Sequence, residues 1–422
     1  MDVTISRVQG VDLRFSAPPS KSYTHRALIA GALASGTTEV IHPLYAGDTA
    51  LTAKGLGDLG VQCSSAGDRI RIAGCNGRLA CREGIRLDLG NSGTSLRLLT
   101  SVALLCPHPV VLTGNQRMLE RPVGALVEAL NALGGEIVFE ERPGFPPIQV
   151  KGRLRGGRTR IDGSISSQFI SSILMAAPYA DEDVELHLAA PPASRSYIDL
   201  TTDVMHRFGA RLERKDYTLF CVRSGVSYRG TEYTVEGDYS SASYLFAVGA
   251  ICGGRVCVEN LNPASPQGDR QFLTALAEMG CRVAVDGDGI LLERTGELAG
   301  IEIDMSSSPD TVQTLCMVAA VASSPTTITG IGHLRYKESD RVRATAEILR
   351  RMGAGVLAED DRITITPASL HGISIDPVDD HRTAMSLAVL GLGTGGVTIR
   401  HAECVEKSFP EFWNMLRGAG LL

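Results

Sequence analysis

Lysine is scarce in this chain of 422 residues: six lysines stand beside 35 arginines. Codon bias toward arginine accounts for the bulk of that split, but it makes each lysine (Lys21, Lys54, Lys151, Lys215, Lys337, Lys407) worth placing. A basic excess is missing too, since 41 basic residues face 47 acidic ones and the net charge is −6. That excludes a general polyanion-binding surface, so any cationic chemistry must be local. Aromatics make up 5% with a single Trp, which leaves no series of stacking rings for single-stranded nucleic acid. The ten cysteines form no C-x-x-C pair and have no clustered histidines, so neither a zinc site nor a disulfide framework is indicated and a reducing cytoplasm is expected. No apolar run approaches the roughly 18 residues of a membrane span. The N-terminus, Met1 to Lys21, lacks the apolar core of a secretory signal and the basic, Ser-rich look of a transit peptide.

What is present is a globular composition, 44% hydrophobic and 21% charged, of a length that predicts two or three domains. Internal repetition organises it. Six segments read as an amphipathic helix, a glycine and a short strand, with the glycines at Gly60, Gly134, Gly209, Gly280, Gly353 and Gly418. After each of the first five comes an alternating strand and, usually, a hairpin signal such as Asp286-Gly287-Asp288-Gly289. A second series of helix starts runs in step: Ser20-Lys21-Ser22, Asn91-Ser92-Gly93-Thr94, Ser164 to Ser167, Tyr239-Ser240-Ser241, Ser307 to Asp310 and Asp380-His381-Arg382. Each unit thus reads βαβαββ, and six units divide as three plus three into two related α/β domains. The boundary is expected near Glu236, with Tyr233 to Asp238 read as strand running into the fourth unit.

Small polar residues at these starts are, one by one, ordinary N-caps. Their company argues for more. Lys21, Arg26, Arg97, His381 and Arg382 stand beside or just inside the starts, and Arg121, Lys337, Arg341 and Lys407 accompany the other helix series. Cations at a helix N-terminus oppose the macrodipole, so their recurrence points to an anion held between cation and helix. Asp310 and Glu338 lie among these cations. Alone they read as a cap and an ion-pair partner, but carboxylates inside an anion site suit general acid/base work.

Lys21 to Leu28 (KSYTHRAL), Leu89 to Thr94 (LGNSGT), Glu120-Arg121-Pro122, Gly163 to Phe169 (GSISSQF), Lys337 to Arg341 (KESDR), Asp380-His381-Arg382 and Lys407 to Pro410 (KSFP) resemble, in order and along the whole chain, the motifs of the 5-enolpyruvylshikimate-3-phosphate (EPSP) synthases, or 3-phosphoshikimate 1-carboxyvinyltransferases. The resemblance implies two inside-out α/β domains of the enolpyruvyl transferase fold, each of three βαβαββ units. It puts residues 17–236 in a lower domain with the shikimate 3-phosphate site, residues 1–16 and 237–422 in an upper domain, and the active site in the cleft between. It further implies transfer of the enolpyruvyl group of phosphoenolpyruvate to the 5-hydroxyl of shikimate 3-phosphate in the shikimate pathway to chorismate and the aromatic amino acids. Metal and organic cofactors are not expected, nor nucleic-acid or membrane partners, and a cytoplasmic monomer is.

Carried over position by position, the resemblance implies that Lys21, Asn91, Gly93, Arg121, Gln168, Arg341, His381, Arg382 and Lys407 surround phosphoenolpyruvate. Shikimate 3-phosphate would be held by Lys21, Ser22, Arg26, Ser166, Ser167, Gln168, Ser194, Tyr197, Asp310, His333 and Lys337. Asp310 would take the 5-hydroxyl proton and Glu338 would protonate the methylene carbon, with Lys21 assisting. Three positions depart from the family: His25 and His333 stand where bacterial members commonly carry Asn, and Leu98 where many have Pro. Gly93 leaves room for glyphosate, so inhibition competitive with phosphoenolpyruvate is expected, weakened if Leu98 shifts its helix. Two alternatives stay open. A UDP-N-acetylglucosamine enolpyruvyl transferase would carry a reactive cysteine where Thr113 to Met118 has none, and a non-catalytic polyanion-binding α/β repeat protein would need a more basic surface.

Overall fold

The computed structural model describes all of Met1–Leu422 and divides into two compact units, one of Lys21–Val235 and one of Met1–Ser20 with Glu236–Leu422. The division falls a few residues from the expected boundaries. Ala17 N donates to Glu259 O, Asn260 Nδ2 to Ala17 O and Ser20 N to Glu236 O, which ties residues 17–20 and Glu236 to the second of these units.

In the Lys21–Val235 unit the repeat is plainest in its middle copy. Strand Ile85–Asp88 leads through helix Gly93–Ala103 to the parallel strand Val110–Thr113, then through helix Gly124–Ala132 into the hairpin of Gly135–Phe139 and Ile148–Gly152. The third copy repeats this with Gly157–Ile161, Val184–Leu188, Leu212–Lys215 and Leu219–Val222. The first copy lacks its own leading strand. Glu232–Thr234 fills that place, parallel to Thr37–Ile41, so the segment read as entering the fourth repeat instead completes the first. A pairing across some 190 residues of chain leaves no local mark in sequence.

The other unit is closed by its own chain end in the same way. Val11–Ser16 pairs parallel with Gly254–Glu259 to complete the fourth sheet. In the sixth, Val3–Ile5 pairs antiparallel with Val397–Ile399 where the other repeats have a hairpin, and Ser374–Ile375 lies parallel on the far side.

Helices fill the inside of each unit. Tyr23 through Leu33 are buried without a break, as are all of Tyr239–Cys252 and His381 through Leu392. A helix apolar on every side is a core helix, whereas the strands alternate buried with exposed and turn one face to water. Truncating a fully buried residue of these helices, such as Leu28, would cost about 2–5 kcal/mol.

The repeat glycines end the outer helices. Gly60, Gly134, Gly209, Gly280 and Gly353 all have φ between +88° and +108°, the left-handed region in which a side chain is strained. The following N–H then reaches back into the helix, as in Val61 N to Leu56 O at 3.0 Å and Ala354 N to Leu349 O at 3.0 Å. The sixth copy differs from expectation: Gly418 is the last residue of helix Phe412–Gly418, and Gly420, at φ +71°, makes the turn, with Leu421 N on Leu416 O at 3.0 Å.

Candidate active site

The expected site residues fall into two clusters, one in each unit. In the Lys21–Val235 unit they collect at the starts of three core helices. Ser92 caps Gly93–Ala103 by accepting from Ser95 N, and Ser166 caps Ser167–Ala176 by accepting from Gln168 N. Lys21, the first residue of helix Lys21–Leu33, sets its Nζ 3.2 Å from Asp48 Oδ2, and that carboxylate is almost wholly buried.

Arg26 is 1% exposed, and its donors go to neutral oxygens: Thr201 Oγ1 at 2.8 Å, Ser171 Oγ at 3.2 Å, Tyr197 O at 3.1 Å and Ser22 O at 3.0 Å. Burial alone pushes its pKa down, to about 10. A guanidinium kept in the interior without a carboxylate among its acceptors is unfavourable for stability, which suits a place where an anion binds. Arg121 donates to Asn91 O and Asn91 Oδ1, and Arg97 donates to Gln168 Oε1 at 2.6 Å while Gln168 Nε2 reaches Thr94 Oγ1 at 2.9 Å. Both Gln168 amide atoms are thereby oriented. Gly93 is where the helix start meets Arg121: a Cβ there would lie 2.4 Å from Nη2. Ser194, buried, adopts φ +55°, which costs on the order of 1 kcal/mol or more for a non-glycine residue and is the kind of strain found at ligand sites.

The cluster of the other unit is built around Arg341, 2% exposed at the start of helix Arg341–Met352. Its three nitrogens reach Asp310 Oδ1 at 3.0 Å, Glu338 Oε2 at 2.9 Å and Asp380 Oδ2 at 3.0 Å. Burial works against its charge, but Asp380, Glu338 and Asp310 together raise its pKa beyond the ordinary value. Arg382 Nη2 takes the other oxygen of Asp310 at 2.8 Å, and its Nη1 donates to Asp310 O and Tyr244 Oη. Lys407 Nζ lies 3.6 Å from Glu338 Oε1. Asp310 and Glu338 are thus gathered into one ionic cluster with Arg341, Arg382 and Lys407. His333, in the turn Gly332–Tyr336, has its pKa lowered to about 3 by burial and then by Lys337, so it is neutral. His381, the first residue of helix His381–Thr394, is fully buried.

Three carboxylates at this site were not singled out from sequence. Asp48 lies in the first turn of helix Gly47–Asp58, Asp269 in the turn Gly268–Arg270, and Asp380 at the N-cap of helix His381–Thr394. Asp380 does cap, accepting from Arg382 N at 3.0 Å, but its other oxygen also holds Ser339 Oγ and Arg341 Nε. An Asp directly before two cationic residues at a helix start is a signal that was available. At the fourth helix start the cap is Asp238, one residue before the expected Tyr239-Ser240-Ser241.

Helix-start clusters of arginine, lysine and carboxylate in each unit of a repeated α/β scaffold are the kind of site that holds small anions. Residues 5–416 match the model of the EPSP synthase family, described as 3-phosphoshikimate 1-carboxyvinyltransferase. A protein named 3-phosphoshikimate 1-carboxyvinyltransferase from Methanoculleus marisnigri is 66% identical over 422 residues, covering 100% of both chains, and one of that name from Methanoregula boonei is 57% identical over 99% of both. The solved EPSP synthase of Acinetobacter baumannii superposes with a TM-score of 0.82 at 28% identity, covering 100% of this chain and 98% of its own. This chain belongs to the EPSP synthase family and is a transferase. No helix is long and apolar enough to cross a membrane.

Proposed function

We propose that the chain transfers the enolpyruvyl group of phosphoenolpyruvate to the 5-hydroxyl of shikimate 3-phosphate, with residues of both units serving one pair of substrates. The observation that carries the mechanism is the bracketing of Asp310 by two guanidiniums, with Glu338 on the same Arg341. The 5-hydroxyl oxygen attacks C2 of phosphoenolpyruvate and its proton passes to Asp310. C3 takes a proton from Glu338 to give a tetrahedral adduct, and return of a C3 proton to the Glu338 carboxylate then expels phosphate and restores the double bond. Arg341, Arg382 and Lys407 are freed to meet the phosphate and carboxylate as the incoming anion competes with the protein's own carboxylates.

Arg121, Asn91, Gly93, Gln168, His381 and Lys21 complete the phosphoenolpyruvate site in this assignment. Ser22 and Arg26 take the shikimate carboxylate, Ser166, Ser167, Ser194 and Lys337 the 3-phosphate, and Tyr197 and His333 the ring. Ten free thiols fit a reducing cytoplasm, where the chain would work as a monomer without metal or cofactor. Phosphate release from phosphoenolpyruvate, measured with shikimate 3-phosphate and separately with UDP-N-acetylglucosamine, tests the proposal. Release with the first acceptor alone is expected, and release with the second alone would overturn it.

A further inference from the structure

Asp269 is a buried carboxylate that the mechanism above does not use. It sits in the short turn Gly268–Arg270, 5% exposed. One of its oxygens accepts from Ser308 Oγ at 3.0 Å and the other from Ser240 Oγ. Ser308 immediately precedes the turn Pro309–Thr311 that carries Asp310, and its hydroxyl also meets Thr311 Oγ1 at 2.8 Å. Although Ser308 stands where a capping residue is expected, its side chain makes no cap and is turned to Asp269 instead. Ser240 lies in the first turn of helix Tyr239–Cys252, which also carries Tyr244, a partner of Arg382.

Asp310, Arg382 and Asp238 are among the charged groups acting on Asp269. Burial, reinforced by the negative charge of Asp310, raises its pKa to about 6. Such a carboxylate lowers stability at neutral pH. With a folded pKa above the ordinary 3.8, its contribution is fully present only below that value and is lost as pH rises through about 6. Asp310 is held on both oxygens by guanidiniums, Arg341 on one and Arg382 on the other. The negative charge of Asp269 lies close enough to interact with that of Asp310 and opposes the field of Arg382.

We propose that Asp269 is a positioning residue for the proton transfer at Asp310: through Ser308 it fixes the turn bearing Asp310, and its negative charge offsets the guanidiniums that hold that carboxylate. The inference rests on Asp310 acting as the base, as assigned above. Because the carboxylate opposes folding while serving Asp310, its replacement should separate activity from stability.

The test measures kcat, both KM values and thermal stability from pH 5 to 9 for the wild type, Asp269→Asn and Ser240→Ala, by phosphate release at varied shikimate 3-phosphate and phosphoenolpyruvate. Asp269→Asn should lower kcat at pH 8 about tenfold with KM values within about twofold, lose the wild-type inflection near pH 6, and melt no lower than wild type at pH 8. Ser240→Ala, which keeps the charge, should retain the inflection. Unchanged kcat and pH profile in Asp269→Asn would overturn the proposal. So would losses of kcat and melting temperature together with the inflection kept, the signature of a merely structural residue. If the wild type itself releases no phosphate from this substrate pair, the functional assignment fails, a result separable from the other two.

Discussion

The two units hold their buried arginines by different means, Lys21 on Asp48 being the one ion pair described in the first cluster. In the Lys21–Val235 unit, Arg26 is fixed by hydroxyl and carbonyl oxygens, and Arg97 and Arg121 reach amide and carbonyl oxygens. In the other unit, Arg341 and Arg382 lie against the carboxylates of Asp310, Glu338 and Asp380. Neutral acceptors orient a guanidinium without cancelling its charge, which suits anion binding. Carboxylates cancel it, and what they offer in return is proton acceptors and donors at fixed places. Arg26 is thus suited to binding, whereas Asp310 and Glu338, inside the second cluster, are placed to move protons.

The largest effects should come from the carboxylates. Asp310→Asn and Glu338→Gln are each expected to reduce turnover by about 10²–10⁴-fold in steady-state assays. Near-wild-type kcat in either would remove that residue from the chemistry. Next comes stability. Arg341→Met strands three carboxylates and should destabilise by about 3–5 kcal/mol in urea titrations, whereas Arg26→Met should cost no more than about 1 kcal/mol because Ser171 and Thr201 already bond each other at 2.7 Å. Equal losses would erase the contrast between the halves.

A smaller effect is expected at Gly93, where a Cβ forces the Arg121 guanidinium aside: Gly93→Ala should raise the KM for phosphoenolpyruvate about tenfold while leaving that for shikimate 3-phosphate unchanged. The smallest concerns His25, fully buried with Nδ1 2.7 Å from Thr52 Oγ1 and Nε2 unpartnered. Burial lowers its pKa from 6.5 to about 3, so the stability tied to its neutral form is present above pH 6.5 and lost as pH falls toward 3. His25→Asn should flatten the acid-unfolding curve over that window without shifting the kcat profile above pH 7.

Much of this was legible in sequence, for local reasons. A left-handed glycine after an amphipathic helix is a chemical necessity, so five of the six repeat ends could be placed, and the sixth failed because two glycines, Gly418 and Gly420, stand two residues apart at the helix end and only the second makes the turn. Cations at helix starts contradict the macrodipole and so announce themselves. What stayed hidden depends on approach through space: the pairing of Glu232–Thr234 with the first sheet, and the use of Asp48, Asp269 and Asp380, each of which looks like a common turn or cap residue until its partner is known.

The division of labour between the halves is tested most directly by calorimetric titration of shikimate 3-phosphate into Asp310→Asn and Arg26→Met. Asp310→Asn should bind within about threefold of wild type, while Arg26→Met, stripped of one charge-assisted contact to an anion, should bind about 10²-fold more weakly. Equal loss of affinity in the two variants, or loss confined to Asp310→Asn, would contradict it.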